Sequence, residues 1–351
     1  MGETFQSVMD RVAEDSARCR DRSCFMGNFR IDDNGRLAIV TEENSEAYPL
    51  SDWAESQLCR WTGIPVAYYK KCPPHLRGKN VEHWVTRDAN LGKDMFVRLK
   101  NRDIHEKVFD KDGNPKLDKD SNPITKVTGT EDFVRGILSD KYSVFSNEHF
   151  TGIVQETLEK HLKDEVTVEK FWLDDLTCHL RVLFPGMKEF VKGKDDAVIG
   201  GLHFGNSEVG FRRVTVDLLL WREVCSNGLI GLRGGESWFS QKHLGTSTID
   251  MKNVILNIVK SGTDQLKAMT SELRTLTKEA IPESDLTSAV EIIGEGLSKG
   301  FLETVQARII KDGDLSQYGL LNAFTAEAKN LPIDDRMVVE STVSHRMIRA
   351  A

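Results

Sequence analysis

His203, Glu208 and Cys225, together with the aromatic and basic residues between Trp61 and Arg102, are the side chains whose types and spacing invite chemistry. Glu208 lies in Asn206-Ser207-Glu208-Val209-Gly210, among Gly200, Gly201, Gly205 and Gly210, with His203 two residues before Gly205. Glycines let a backbone approach a ligand closely, and a carboxylate beside an imidazole is the raw material of acid–base or metal chemistry. One Glu with one His is not a catalytic set, however, and the segment reads as a tight hairpin with Asn206 and Ser207 as turn formers. Next comes Arg222-Glu223-Val224-Cys225-Ser226-Asn227-Gly228. Cys225 would be a nucleophile with His179 or His203 as its base, but a cysteine in this setting fits a small buried hydrophobe better. Asn227-Gly228 reads as a turn that needs positive φ. The pairs Asp174-Asp175 and Asp334-Asp335 suit turns and helix starts.

Metal and cofactor signals are weak throughout. The six cysteines contain no Cys-x-x-Cys pair, the spacing of Cys19, Cys24, Cys59 and Cys72 fits no zinc ribbon or knuckle, and free thiols are expected. Gly231-Leu232-Arg233-Gly234-Gly235 lacks the Lys-Ser/Thr ending of a phosphate-binding loop. The reading is therefore no metal, no cofactor and no catalytic residue.

The segment from Trp61 to Arg102 points instead to binding. It holds nine basic residues against three acidic ones, a balance of +6 within a chain of net charge −7, which leaves −13 for the remainder. Trp61, Tyr68, Tyr69 and Trp84 are interleaved with these cations. Single-stranded nucleic acid is held by this combination, with bases stacked on rings and phosphates neutralised by Lys and Arg. The expected contact set is Trp61, Tyr68, Tyr69, Lys70, Lys71, Arg77, Lys79, Arg98 and Lys100, with Arg98, Lys100 and Arg102 alternating along one strand beside the helices. The competing reading is a set of core aromatics with a solvated basic face.

The elements that must position these groups follow from periodicity. Residues 1–94 read as an N-terminal arm and a small helical unit: Ser51 caps a helix closed by Gly63, Ile64-Pro65 restarts a short one through Tyr69, and Pro73-Pro74 opens a third. Residues 95–245 read as an antiparallel sheet core with one packed helix starting at Asn147 and an exposed insertion at 106–128. Residues 246–351 read as helical, beginning with a long amphipathic helix through Ile255, Ile258, Gly262, Leu266, Met269, Leu273 and Leu276. The predicted class is α+β: an antiparallel hairpin-rich sheet, a small N-terminal helical unit and a helical C-terminal third.

Several ordered pieces resemble the phage/plasmid-like family known as domain of unknown function 932. They are Gly63-Ile64-Pro65 with Tyr68-Tyr69, Leu138-Ser139-Asp140-Lys141-Tyr142 with Asn147, Asn206-Ser207-Glu208-Val209-Gly210, Arg222 with Val224 to Leu229, and Tyr318 to Thr325. The family supplies no catalytic residues to carry over. The resemblance implies a mobile-element setting, in which recombination and replication genes are common. The combined expectation is a single-stranded DNA-binding protein of annealing type, acting as an oligomer in the host cytoplasm. A host-protein-binding counter-defence factor using the acidic helical third is the second reading. A metal-dependent enzyme acting on nucleic acid through His203, Glu208 and His179 is the third. No window approaches the roughly 18 uninterrupted apolar residues of a membrane span, so no membrane partner is expected.

Overall fold

The computed structural model describes residues 3–111, 114–119, 122–161, 165–223, 227–231, 237–243 and 250–348. Helix makes up 44% and strand 31%, and every pairing between named strands is antiparallel, so the chain is α+β. The strands do not form one sheet. They form three, and their division explains where the polar groups end up.

The first chain segment builds the smaller core. Helix α1 (Phe5–Ala17), started by a capping box at Thr4, is followed by β1 (Cys19–Phe25), β2 (Phe29–Ile31), β3 (Leu37–Val40) and β4 (Ser45–Tyr48). The next three helices are those expected. In α2 (Asp52–Thr62) the Ser51 hydroxyl accepts from the Ala54 N–H, and Gly63 ends the helix at φ 72. Pro65 and Pro73 precede α3 (Val66–Lys71) and α4 (Pro74–Val85), and a single turn, α5 (Asp88–Leu91), leads into β5 (Asp94–Lys107). β5 pairs with β1 on one side and with β6 (Thr125–Ser139) on the other. Val97, Leu99, Val134 and Ile137 share a core with Ala54, Leu58, Tyr69 and Val81. The boundary expected at 94/95 therefore separates no cores, since β5 and β6 close the helical unit from below.

Beyond the sheet, β5 and β6 continue as the expected exposed arm. Its tip has a closed geometry: Lys116 N–H donates to the Val108 carbonyl at 2.8 Å, Ile124 N–H to Lys116 at 2.8 Å and Val108 N–H to Ile124 at 2.9 Å. The Asp110 and Asp118 carboxylates accept from the Asn114 and Asn122 N–H groups. Phe109 and Leu117 stand exposed there.

The larger core is organised by a six-stranded sheet of order β11-β10-β9-β8-β7, with β12 (Phe239–Gln241) also on β10. Its other strands are β7 (Thr167–Leu173), β8 (Cys178–Phe190), β9 (Ala197–Asn206), β10 (Val214–Arg222) and β11 (Asn227–Gly231). One face carries Leu180, Val182, Leu202, Phe204, Val216 and Leu218 into a core with α1, with α6 (Asn147–His161) and with α7 (Met251–Leu276). On α7 the buried positions include Ile255, Ile258, Gly262, Leu266, Met269 and Leu273, the three-and-four spacing of one stripe laid across the sheet. Helices α8 (Leu286–Ile293), α9 (Lys299–Asp312), α10 (Gln317–Ala328) and α11 (Ile333–Met347) complete the C-terminal third.

Beside a small apolar cluster of Leu183, Ile199, Leu219 and Ile230, the opposite face of this sheet carries a polar set from β8 and β9, His179, Arg181 and His203, all fully buried. Helix α11 covers them. Arg181 forms two hydrogen bonds to Glu340, at 2.6 and 3.2 Å, with neither side chain exposed. A buried ion pair of this kind fixes how a helix sits on a sheet more than it adds net stability.

Candidate nucleic-acid interface

The Asn206 to Gly210 segment is not an exposed tight hairpin. It opens a loop from residue 207 to 213 between β9 and β10, and Asn206, Ser207, Glu208 and Val209 are all buried. Its partners come from far away in sequence. Glu208 accepts from Arg135 Nη1 at 2.9 Å and from the backbone N–H of Asn147, the first residue of α6, at 2.7 Å. Arg98 Nη1 donates to the Glu208 carbonyl at 3.2 Å and lies 3.6 Å from its carboxylate. The carboxylate thus meets two guanidinium groups and a helix N-terminus, all favourable to negative charge. Trp53 and Gln57 of α2 both donate to the Val209 carbonyl at 2.9 Å. Tyr142 accepts from the Gly210 N–H and donates to the Ser207 carbonyl. Gly210 has φ 70, which an L side chain rarely adopts, and Gly136 must remain bare because a Cβ there would sit 2.9 Å from that of Val209.

This clamped loop forms one wall of a groove of about 370 Å³, within the ~300–1,000 Å³ usual for ligand sites. Trp61 from α2, Ile137 and Leu138 from β6, then Tyr142, Phe211 and His243 supply its aromatic and apolar lining. Arg60, Arg212, Arg213 and Lys242 also line it, and among the described residues no Asp or Glu does. Arg60 lies over the Trp53 ring, which in turn packs edge-on against Phe211. Arg60, Arg213 and Lys242 are exposed, and no carboxylate pairs with them among the described residues. Arg212 differs, donating to Asp334 at 2.8 Å. A concave surface with cations at its rim and flat rings along its wall suits a polyanion with stacking groups.

The expected contact set divides on inspection. Trp61 is in the groove, its indole N–H fixed on the Ile137 carbonyl at 3.1 Å. Tyr68, Lys71 and Lys79 are exposed on α3 and α4, with Lys70 beside them paired to Asp52 at 2.7 Å. Tyr69 is buried, contrary to a stacking role, and Arg77 covers its ring while donating to the Cys72 and Lys70 carbonyls. Arg98 is buried against Asp21 and Glu208, and Lys100 joins Asp15 and Asp175. The row of Arg98 and Lys100 therefore faces away from the helical unit, since the alternate residues Val97 and Leu99 fill that unit's core. Sequence reasoning missed Arg60, Tyr142, Phe211, Arg213, Lys242 and His243. Arg212-Arg213 at the end of the loop was the available signal.

The other motif residues are structural. Arg222 binds Asp196, which also accepts from Tyr318, and Asn227 donates to Thr325, so the last two of the resembling pieces meet. Gly228 does not have positive φ; it lies in β11, where a Cβ would come within 2.9 Å of Arg181 Nη1. Cys225 and Gly234-Gly235 lie outside the described residues. Cys19, Cys24, Cys59, Cys72 and Cys178 are free thiols.

Nor does His203 meet Glu208. Arg181 Nε donates to His203 Nδ1 at 2.9 Å, so His203 carries its hydrogen on Nε2 and donates it to His179 Nδ1 at 3.1 Å. His179 Nε2 lies 2.8 Å from Arg212 Nη1 and 3.3 Å from the Asp334 carboxylate. Burial holds both imidazoles below the ordinary histidine range, His203 far below, with the Arg181 charge adding to it. Among the described residues no group of three His, Cys, Asp or Glu is placed to hold a metal ion, and no helix is long and apolar enough to cross a membrane. Compared with protein-family models, with curated proteins and with solved structures, the chain matches none.

Two outcomes follow from these geometries. Glu208→Gln leaves Arg135 buried without its counter-charge and is expected to lose about 3–5 kcal/mol in urea denaturation; unchanged stability would show that the carboxylate is not structural. His203 is neutral when folded but takes a proton when unfolded, so its contribution to stability falls as pH drops below about 6.5. The His203→Gln variant, which can still accept from Arg181 and donate to His179, should lose that share of the slope. Between pH 5 and 7 its stability curve is expected to be flatter by up to about 1.4 kcal/mol per pH unit. Asp217, whose carboxyl burial pushes up to about 6, acts in the opposite direction equally in both proteins.

Proposed function

We propose that the chain binds single-stranded nucleic acid in the groove between α2, the end of β6 and the loop after β9. The observation that carries this reading is the coincidence of three exposed cations, Arg60, Arg213 and Lys242, with Trp61, Tyr142 and Phe211 in one concavity that no Asp or Glu lines among the described residues. Cations hold the phosphates, and aromatic faces accept bases of any sequence, worth roughly 1–3 kcal/mol for each stacked base. A duplex is a poorer fit, because its bases are already stacked inward and cannot reach the rings.

In the mobile-element setting implied by the sequence pieces, the substrate is single-stranded DNA exposed during recombination or replication, and the role is to hold a strand for annealing. The net charge of −7 favours this over coating of duplex DNA, which a global positive field would require. Hydrolytic chemistry has less support. Its candidate residues are engaged elsewhere, Glu208 with two arginines and His203 with Arg181.

Fluorescence anisotropy with a labelled oligonucleotide tests the reading. Binding is expected at low salt and to weaken steeply at moderate salt. The combined Arg60→Ala, Arg213→Ala and Lys242→Ala variant should reduce the slope of log K against log salt by about 2, at roughly 0.7 for each lost phosphate contact on a single strand. Lys70→Ala with Lys71→Ala should change it far less. No binding at low salt, or an unaltered slope in the triple variant, would overturn the proposal.

A further inference from the structure

His243 lies on the wall of the groove and is 6% exposed, yet neither of its ring nitrogens has a hydrogen-bond partner among the described residues. A buried polar atom left unpaired costs about 1–3 kcal/mol, so two in one ring call for a physical reason. The ring is held firmly. It stacks on Tyr142 with centroids 5.2 Å apart and planes inclined by 21°, and the His243 carbonyl accepts from the Ser143 N–H. Tyr142 is itself fixed at both ends of its hydroxyl by the Glu208 loop. The imidazole is therefore held beside a surface made for stacked rings, its two nitrogens unused by the fold and covered from solvent, so that a base pairs with them only by displacing what covers them.

We propose that His243 is the base-reading residue of this groove, forming a hydrogen bond to the edge of a nucleotide whose ring lies against the aromatic wall. The proposal rests on the reading of the groove as a single-strand site. Chemistry favours a base over a phosphate as the partner of this ring. Burial pushes the imidazole down to about 4, so at neutral pH it offers one N–H donor and one bare acceptor. A phosphate offers acceptors only and is better met by the cations at the rim, Arg60, Arg213 and Lys242, whereas base edges carry both donors and acceptors. The groove then has a division of labour. Charge at the rim sets affinity for any strand, and His243 discriminates among bases by which edge can pair with it.

The test compares labelled homopolymers of about ten nucleotides, within the ~4–16 covered by compact single-strand sites, using thymidine, deoxyadenosine and deoxycytidine strands. The expected result is a preference of about three- to tenfold between best and worst, the range of one hydrogen bond. His243→Phe keeps the stack and should reduce the preference to within about twofold without changing the salt slope, while His243→Gln, which retains a donor and an acceptor, should preserve part of it. Should His243→Phe fail to fold, the ring-nitrogen resonances of His243, assigned with His243→Gln, decide the matter in the unaltered chain: they are expected to shift when the preferred homopolymer is added. Binding with no preference, an unchanged preference in His243→Phe, resonances that stay fixed, or displacement of the strand by an equal concentration of free mononucleotide would each overturn this assignment. A complete absence of strand binding would overturn the groove reading itself.

Discussion

The carboxylate of Glu208 is the point at which separate parts of this chain are tied together. It is buried, and its oxygens meet Arg135 of the small three-stranded sheet and the N-terminus of α6, with Arg98 close by. Arg135 and Arg98 belong to the sheet that closes the N-terminal helical unit, while Glu208 and α6 belong to the larger core. Without Glu208 two guanidinium groups would face each other in a dry interior, a situation that fixed opposite charge relieves. The loop that carries it is consequently determined on all sides, by Trp53, Gln57 and Tyr142 as well as by the arginines. A rigid loop is what allows Phe211 and Arg213, a few residues further on, to face Trp61 and Arg60 across a groove.

Much of the scaffold was legible in the sequence, because local rules decide it. Ser51 and Gly63 mark the ends of α2 through a side-chain oxygen and a left-handed residue, and the stripe on α7 is a matter of spacing alone. The α+β class followed from the change of period near Met95. What could not be read is which side of a strand would become interior. Alternation in β5 separates Val97 and Leu99 from Arg98 and Lys100, yet it does not say that both faces are covered. A strand between two cores buries its charged side as well, provided that each cation finds an anion, and Asp15, Asp21, Asp175 and Glu208 supply them from up to 110 residues away.

The same reason accounts for the candidate site. Trp61 opens the predicted segment and Arg60 directly precedes it, but Tyr142, Phe211, Arg213, Lys242 and His243 are brought to them only by tertiary pairing. The Asn227-Gly228 dipeptide misled in the opposite direction. Its composition suggests a turn, whereas the backbone is extended and the absent side chain makes room for Arg181. The motif pieces that carry the family resemblance turn out to be the places where distant elements knot: Glu208 with Asn147, Arg222 with Tyr318 through Asp196, and Asn227 with Thr325. They specify the frame, and the groove with its exposed cations is what that frame presents.

The most direct measurement of this account is photo-crosslinking of the full chain to a single-stranded oligonucleotide carrying iodo-deoxyuridine, with the attached residues located by mass spectrometry. Attachment at Trp61, Tyr142 or Phe211 is the predicted result, because these rings line the groove built on Glu208. Attachment confined to Tyr68 on the outer helical face, or to Phe109 on the arm, would contradict it.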